Sequence, residues 1–118
     1  MRLTKIFTFD AAHFLTHYHG KCENVHGHTY RLEVTVEGPV GEDGLVMDFV
    51  ELKTLVKEKV LNKLDHSHLN DHFENPSAEL VIMWIWDQVK GGLPKGVSLV
   101  EMKLFETPES FVTYNGNI

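Results

Sequence analysis

Cys22, the only cysteine of the chain, lies four residues before His26, and one glycine separates His26 from His28 in the stretch CENVHGH. Imidazole nitrogen and thiolate sulfur are the common protein ligands of zinc, in tetrahedral sets of four or in open sets of three. The residues after His28 say where the two rings point. In HTYRLEVTVEG, Tyr30, Leu32, Val34 and Val36 alternate with Thr29, Arg31, Glu33, Thr35 and Glu37, the period of two of a half-buried strand in an antiparallel sheet. Carried backwards, the alternation sets His26 and His28 on the apolar face, one pleat apart, within reach of one shared ion. Gly27 removes bulk between them and permits another segment to approach. The plain alternative is a pair of hydrogen-bonded core histidines, but two imidazoles buried side by side need partners.

A third ligand is best supplied by His13, which follows the first apolar run in FDAAHF; His17 and His19 are rivals by spacing, in the polar stretch HYHGK. Three histidines leave one position open, the mark of a catalytic zinc that polarises oxygen ligands and lowers their pKa. Cys22 then has two readings. It can close the shell as a fourth ligand and be inert, or stand beside the metal as a reactive thiolate, its pKa lowered by the cation and by Lys21. Its polar surroundings, GKCEN, argue against a small buried hydrophobe.

Two further constellations carry chemistry. Asp65 next to His66 in LDH makes an acid/base pair if the carboxylate orients the imidazole, or an ordinary polar loop if it does not. Glu106 continues the strand face of Val100, Met102 and Leu104. A carboxylate in that place either emerges at the sheet's edge or meets a partner, such as the N–H-rich edge of a ring. His68 and His72 read as surface histidines.

The elements that must position these groups follow from pattern. Residues 2–9, RLTKIFTF, form a strand. GPVGEDG, 38–44, is a turn. Asp48, with Glu51 in capping-box spacing, opens a helix whose buried stripe is Leu52, Leu55, Val56 and Val60. LDHSHLNDHFENPS is a loop, and Asn75-Pro76 or Ser77 opens a second helix with Leu80, Val81, Met83, Trp84, Ile85 and Val89 as its apolar surface, stopped by Gly91-Gly92. Strands at 97–106 and 110–115 follow, joined by a tight TPE connection. The order is ββααββ, an α+β arrangement in one domain, 1–118, with both helices on one sheet face.

Composition bounds what such a domain does. A net charge of −6 with no Lys or Arg run excludes a general nucleic-acid binder, though not a local pocket for a small anion. No segment is long enough to span a bilayer, and the N-terminus lacks the apolar core of a signal peptide. One cysteine makes no internal disulfide, so a reducing, cytoplasmic setting is expected. Eight histidines, all in the first two-thirds of the chain, again favour metal.

Together FTFDAAHF, CENVHGHTY, VMDFVELK, LDHSHLN, NPSAELVIMWIW and FETPESFVTY recur in this order in the 6-pyruvoyltetrahydropterin synthase family, which this chain resembles over nearly its whole length. The resemblance implies a four-stranded antiparallel sheet covered by two helices (the T-fold) and a homohexamer, a dimer of trimers, with active sites shared between subunits. By position it implies Zn²⁺ held by His13, His26 and His28, with Cys22 as the catalytic thiol outside the metal shell. Asp65 and His66 match the acid/base pair, Glu106 the carboxylate anchoring the pterin ring, and Ser77 and Ala78 further pterin contacts. Ala78 offers only backbone groups. Phe14 stands where many members have a basic residue and Asn24 where an arginine is frequent, departures that bear on triphosphate contacts. Three residues between the cysteine and HGH match the 6-carboxytetrahydropterin synthase branch of queuosine biosynthesis; the pyruvoyl enzymes have five, and a further group has glutamate in place of the cysteine. The expected activity is conversion of 7,8-dihydroneopterin triphosphate to 6-carboxytetrahydropterin, acetaldehyde and triphosphate. The alternatives are 6-pyruvoyltetrahydropterin synthase activity and a non-catalytic zinc-binding protein of the same fold.

Overall fold

In the computed structural model, residues 1–16 and 24–118 are described. Two long strands come first, β1 (Arg2–His13) and β2 (His26–Glu37). Helix α1 (Phe49–Val56) runs on through a π-helical segment, Lys57–Leu61, into α2 (Asn62–Leu64). After β3 (Ser67–His68) and the 3₁₀ turn Leu69–Asp71 come α3 (Ala78–Lys90), β4 (Ser98–Thr107) and β5 (Ser110–Tyr114).

The expected sheet of four antiparallel strands is corrected to five strands of mixed direction, ordered β3-β1-β2-β4-β5. The extra strand, β3, pairs parallel to β1 through Ala11↔Ser67 and Ala12↔His68. Two residues cannot show a period of two, so nothing in LDHSHLN marks it as a strand. β2 begins at His26, where the backward extension of its alternation puts it, but β1 reaches further than patterning allowed. It continues past Phe9 to His13 because it pairs there with the start of β2: Asp10↔Thr29, Ala11↔His28, Ala12↔Gly27 and His13↔His26.

Alternation then sorts the residues as the pattern requires. Phe7, Phe9, Ala11 and His13 on β1 join Tyr30, Leu32, Val34 and Val36 on β2 and Met102 and Leu104 on β4 on the buried face. Against it pack Leu52, Val56, Val60 and Leu64 from the first helix and Val81, Ile82, Ile85, Trp86 and Val89 from α3. Phe9 stacks on its partner Tyr30 with ring centroids 4.9 Å apart. No described helix is long and apolar enough to cross a membrane.

The first helix answers a geometric problem in its own sequence. Its buried residues step by four, at 52, 56, 60 and 64, and each such step overshoots a 3.6-residue turn by about 40°. The wider π turn across Lys57–Leu61 takes up more residues and returns the row to the core. Leu64 is thereby buried, and Asp65 follows it directly at the sheet's edge.

Side-chain caps begin both helices: Asp48 accepts from the Val50 N–H at 2.8 Å, and Ser77 from the Leu80 N–H at 3.2 Å. Replacing Asp48 by Ala should lower stability by about 1 kcal/mol. Leu104→Ala, deep between sheet and helices, should cost about 2–5 kcal/mol. Urea unfolding midpoints at unchanged slope would show both, and equal losses would contradict this ranking.

Candidate functional site

The β1–β2 register brings His13 directly opposite His26, with His28 one pleat along. All three rings lie on the buried face, and His13 is only 1% exposed. They meet edge to face: centroids are 4.7 Å apart for His13–His26, 4.8 Å for His26–His28 and 5.2 Å for His13–His28. One ring nitrogen from each of the three and a Glu106 carboxylate oxygen fall within 4.8 Å of one another.

Hydrogen bonds behind two of the rings set their chemistry. His13 Nδ1 lies 2.9 Å from the Pro76 carbonyl oxygen, and His26 Nδ1 2.9 Å from that of Asn24. A carbonyl only accepts, so each Nδ1 carries the proton and donates it. In the neutral rings both Nε2 atoms then present lone pairs, yet they stand 3.2 Å apart. Two facing lone pairs repel unless a cation joins them. Two nitrogens bound to one tetrahedral zinc at its usual bond length sit about 3.3 Å apart. Carbonyl acceptors behind metal-binding imidazoles are also the usual way such rings are oriented. The residues present therefore fit a zinc ion.

Tyr30 closes the buried end of the cluster, its hydroxyl 3.3 Å from His13 Nδ1. Burial first, and the Glu106 carboxylate second, push that hydroxyl well above its ordinary pKa. It stays protonated and neutral beside the cluster.

Glu106 arrives through an irregularity. Phe105 pairs with Phe111, but Thr107 pairs with Ser110, so Glu106 is the extra residue of a β-bulge. Bulges re-aim side chains, and this carboxylate comes to 3.5 Å from His28 Nε2 and 3.7 Å from His13 Nε2. Ser77 and Ala78 stand at the start of α3, beside the Pro76 carbonyl that holds His13. The Ser77 hydroxyl accepts from the helix's own backbone, which leaves its proton free to donate.

Asp65 and His66 are brought together elsewhere. Asp65 Oδ1 lies 3.1 Å from His66 Nδ1 and accepts the Asp10 backbone N–H at 3.0 Å. The His66 N–H donates to the Asp10 carbonyl at 2.7 Å. The Asp10 carboxylate, in the same cluster, accepts from the Thr29 hydroxyl at 2.6 Å. Asp10 alternates with Phe9 and Ala11, so this group lies across β1 from the three histidines. A cavity of about 350 Å³ lined by Asp10, Ala11, Gly27, His28 and Thr29 opens here. A Cβ built on Gly27 would meet only the Ala11 carbonyl, at 3.8 Å, so no described segment makes the close approach expected there. Asp10 was invisible in the sequence, being one more polar residue on the outer face.

Cys22, His17 and His19 lie outside the described residues. His68, half-buried, packs its ring 5.8 Å from that of Phe14, and Asn70 holds the Phe14 backbone at both its N–H and its carbonyl.

Residues 2–117 match the family described as 6-pyruvoyl tetrahydropterin synthase. The chain belongs to that family. A 6-pyruvoyl tetrahydrobiopterin synthase of Dictyostelium discoideum is 42% identical over 104 residues, 83% of this chain and 76% of that protein. A 6-carboxy-5,6,7,8-tetrahydropterin synthase of Haemophilus influenzae is 32% identical over 139 aligned positions, covering 96% of this chain and 97% of the other. A dihydroneopterin monophosphate aldolase of Pyrococcus furiosus is 41% identical over 102 residues, 86% of each chain. The solved 6-pyruvoyl tetrahydropterin synthase of Caenorhabditis elegans superposes with a TM-score of 0.86 at 27% identity, over 99% of this chain and 96% of that one. The Caenorhabditis elegans pterin synthase thus shares the fold of this chain.

His66 has φ of +59°, the one described non-glycine residue with positive φ. The left-handed conformation costs a side-chain-bearing residue about 1 kcal/mol, and its imidazole is 79% exposed. His66→Gly should therefore raise the unfolding midpoint, by about 1 kcal/mol in stability, while removing the imidazole from the Asp65 pair. A variant less stable than the parent would show that the His66 side chain is held by packing instead.

Proposed function

We propose that this family member is a zinc-dependent lyase, a 6-carboxy-5,6,7,8-tetrahydropterin synthase. It converts 7,8-dihydroneopterin triphosphate and water to 6-carboxytetrahydropterin, acetaldehyde and triphosphate in queuosine or related deazaguanine biosynthesis. The observation that carries the metal-dependent chemistry is the convergence of His13 and His26 with their Nδ1 protons committed to carbonyls. The choice of branch rests on the three residues between Cys22 and His26, and relatives with the carboxy name support it.

When bound by His13, His26 and His28, zinc supplies Lewis acidity that makes the hydroxyl protons of the substrate side chain easier to remove. The Cys22 thiolate and the His66 imidazole move protons on opposite faces of the substrate, with Asp65 orienting His66. Asp65 is itself positioned by the Asp10 N–H, so the pair is held by backbone. Glu106 binds the N–H-rich edge of the pterin ring by charge-assisted hydrogen bonds. Ser77 and Ala78 line the same approach, at the N-terminus of α3. Loss of triphosphate and cleavage of a carbon–carbon bond complete the reaction.

Asp65 and His66 lie across β1 from the histidines, so within one chain they do not face the same space. We read this as a shared site: a second subunit presents its pair to the first subunit's metal and thiol, in a homohexamer. Ile6 and Phe111, each about half exposed on the face no helix covers, are apolar surface that assembly would bury.

Incubation with dihydroneopterin triphosphate should release acetaldehyde in step with triphosphate. Triphosphate release with a pyruvoyl product and no acetaldehyde would instead assign the 6-pyruvoyltetrahydropterin activity that other relatives carry by name. Cys22→Ala and His66→Ala should each reduce turnover by about 10²-fold or more. Dissociated and reassembled together, the two inactive variants should recover part of the parent activity, since some mixed sites hold both groups. No recovery from a verified mixed oligomer would place the thiol and the imidazole in one subunit.

A further inference from the structure

We propose that Glu106 has two successive partners: in the substrate-free protein its carboxylate completes the zinc shell, and pterin binding draws it off the metal. This rests on the zinc reading above and adds to it a placeholder that keeps the fourth position filled until the ring arrives.

The distances decide between a ligand and a hydrogen-bond acceptor. Charge-assisted N–H···O⁻ bonds run at about 2.7–2.9 Å, but the Glu106 oxygens stand 3.5 Å and 3.7 Å from His28 and His13 Nε2. Those values lie nearer the ligand-to-ligand edge of a tetrahedral zinc site, about 3.3 Å. For His13 the alternative also fails chemically. Its Nδ1 holds the proton for Pro76, so a neutral ring turns a lone pair, not a donor, toward the carboxylate. A carboxylate facing the His13 lone pair at 3.7 Å needs a cation between them.

The backbone is shaped for the purpose. Glu106 is the extra residue of a bulge, and the bulge turns the end of an apolar row, Met102 and Leu104, toward the histidines. At 31% side-chain exposure against 2% for His13, Glu106 is the outermost member of the His13–Glu106 contact. It reaches both the metal position and the space in front of it. His13 and His26, their Nδ1 atoms tied to backbone carbonyls, have no such freedom, whereas the Glu106 carboxylate can exchange.

One carboxylate shared by two partners makes them competitors. Zinc and a bare pterin ring should weaken each other's binding by the same factor, because linkage is reciprocal. The full substrate escapes the penalty, since its side-chain hydroxyls can take the vacated position. Pterin recognition is thereby coupled to opening of the metal, and zinc stays shielded from other oxygen ligands at rest.

The experiment uses the intact protein, stripped and reloaded with metal. Zinc affinity is measured by competition with a chromophoric chelator for the parent, Glu106→Gln and His26→Ala. The parent should bind one zinc per chain, Glu106→Gln at least tenfold more weakly, and His26→Ala weaker still. In cobalt-substituted protein, Glu106→Gln should change the visible ligand-field bands, and unsubstituted pterin added to the parent should move its bands the same way. Equal zinc affinity in parent and Glu106→Gln overturns the proposal and leaves Glu106 a pterin anchor only. Weaker affinity with bands unmoved by both the substitution and pterin also overturns it, making the carboxylate a nearby charge. Failure of the parent to bind stoichiometric zinc would sink the zinc reading itself, a separate outcome. Matching far-ultraviolet circular dichroism for Glu106→Gln excludes misfolding as the cause.

Discussion

Pairing of β1 with β2 in the register Phe9↔Tyr30, Ala11↔His28, His13↔His26 is the constraint on which the rest of the molecule depends. Side chains alternate across a strand, so a slip of one residue would turn every one to the opposite face. Phe9 and Tyr30 would leave the core together, and the histidines would leave each other. Burial of the apolar row thus holds the polar cluster in place. The stacked Phe9–Tyr30 rings lie immediately inside the histidines, where the hydrophobic core ends and the candidate metal centre begins.

The sheet divides the chemistry between its two faces. On the helix-covered side three imidazoles converge on one point, two of them oriented from behind by the Pro76 and Asn24 carbonyls. On the open side Asp10 gathers Asp65, His66 and Thr29 through its N–H, its carbonyl and its carboxylate. Both arrangements use backbone groups as the fixed points, which spares them the rotamer freedom that long side chains bring. The two local irregularities serve the same ends. A π turn carries the row from Leu52 to Leu64 back to the core and so delivers Asp65 to β1, while a bulge delivers Glu106 to the histidines.

Much of this was legible in the residues. The alternation of HTYRLEVTVEG sets the face of β2 and, extended backwards, puts His26 and His28 on it. The helix starts at Asp48 and Ser77 carry their own capping signals, and both caps form. β3 was not legible, because two residues have no period, and its pairing is decided by Ala11 and Ala12 far away in sequence. Nor was the true end of β1, since residues 10–13 are strand only because the start of β2 lies beside them. Asp10 is not legible either, because a polar residue on an exposed strand face carries no local mark of what will dock against it.

What the sequence determined by itself was which side chains share a face: period and capping are local, and the apolar residues at those positions can be buried in only one way. What the tertiary structure decided was which faces and ends meet. That His13 stands 3.2 Å from His26, that Glu106 leans toward both His13 and His28, and that Asp65 and His66 hang on Asp10 across the strand all follow from contacts between segments distant in the chain. Such contacts form only when burial of the common core outweighs the entropy of bringing those segments together.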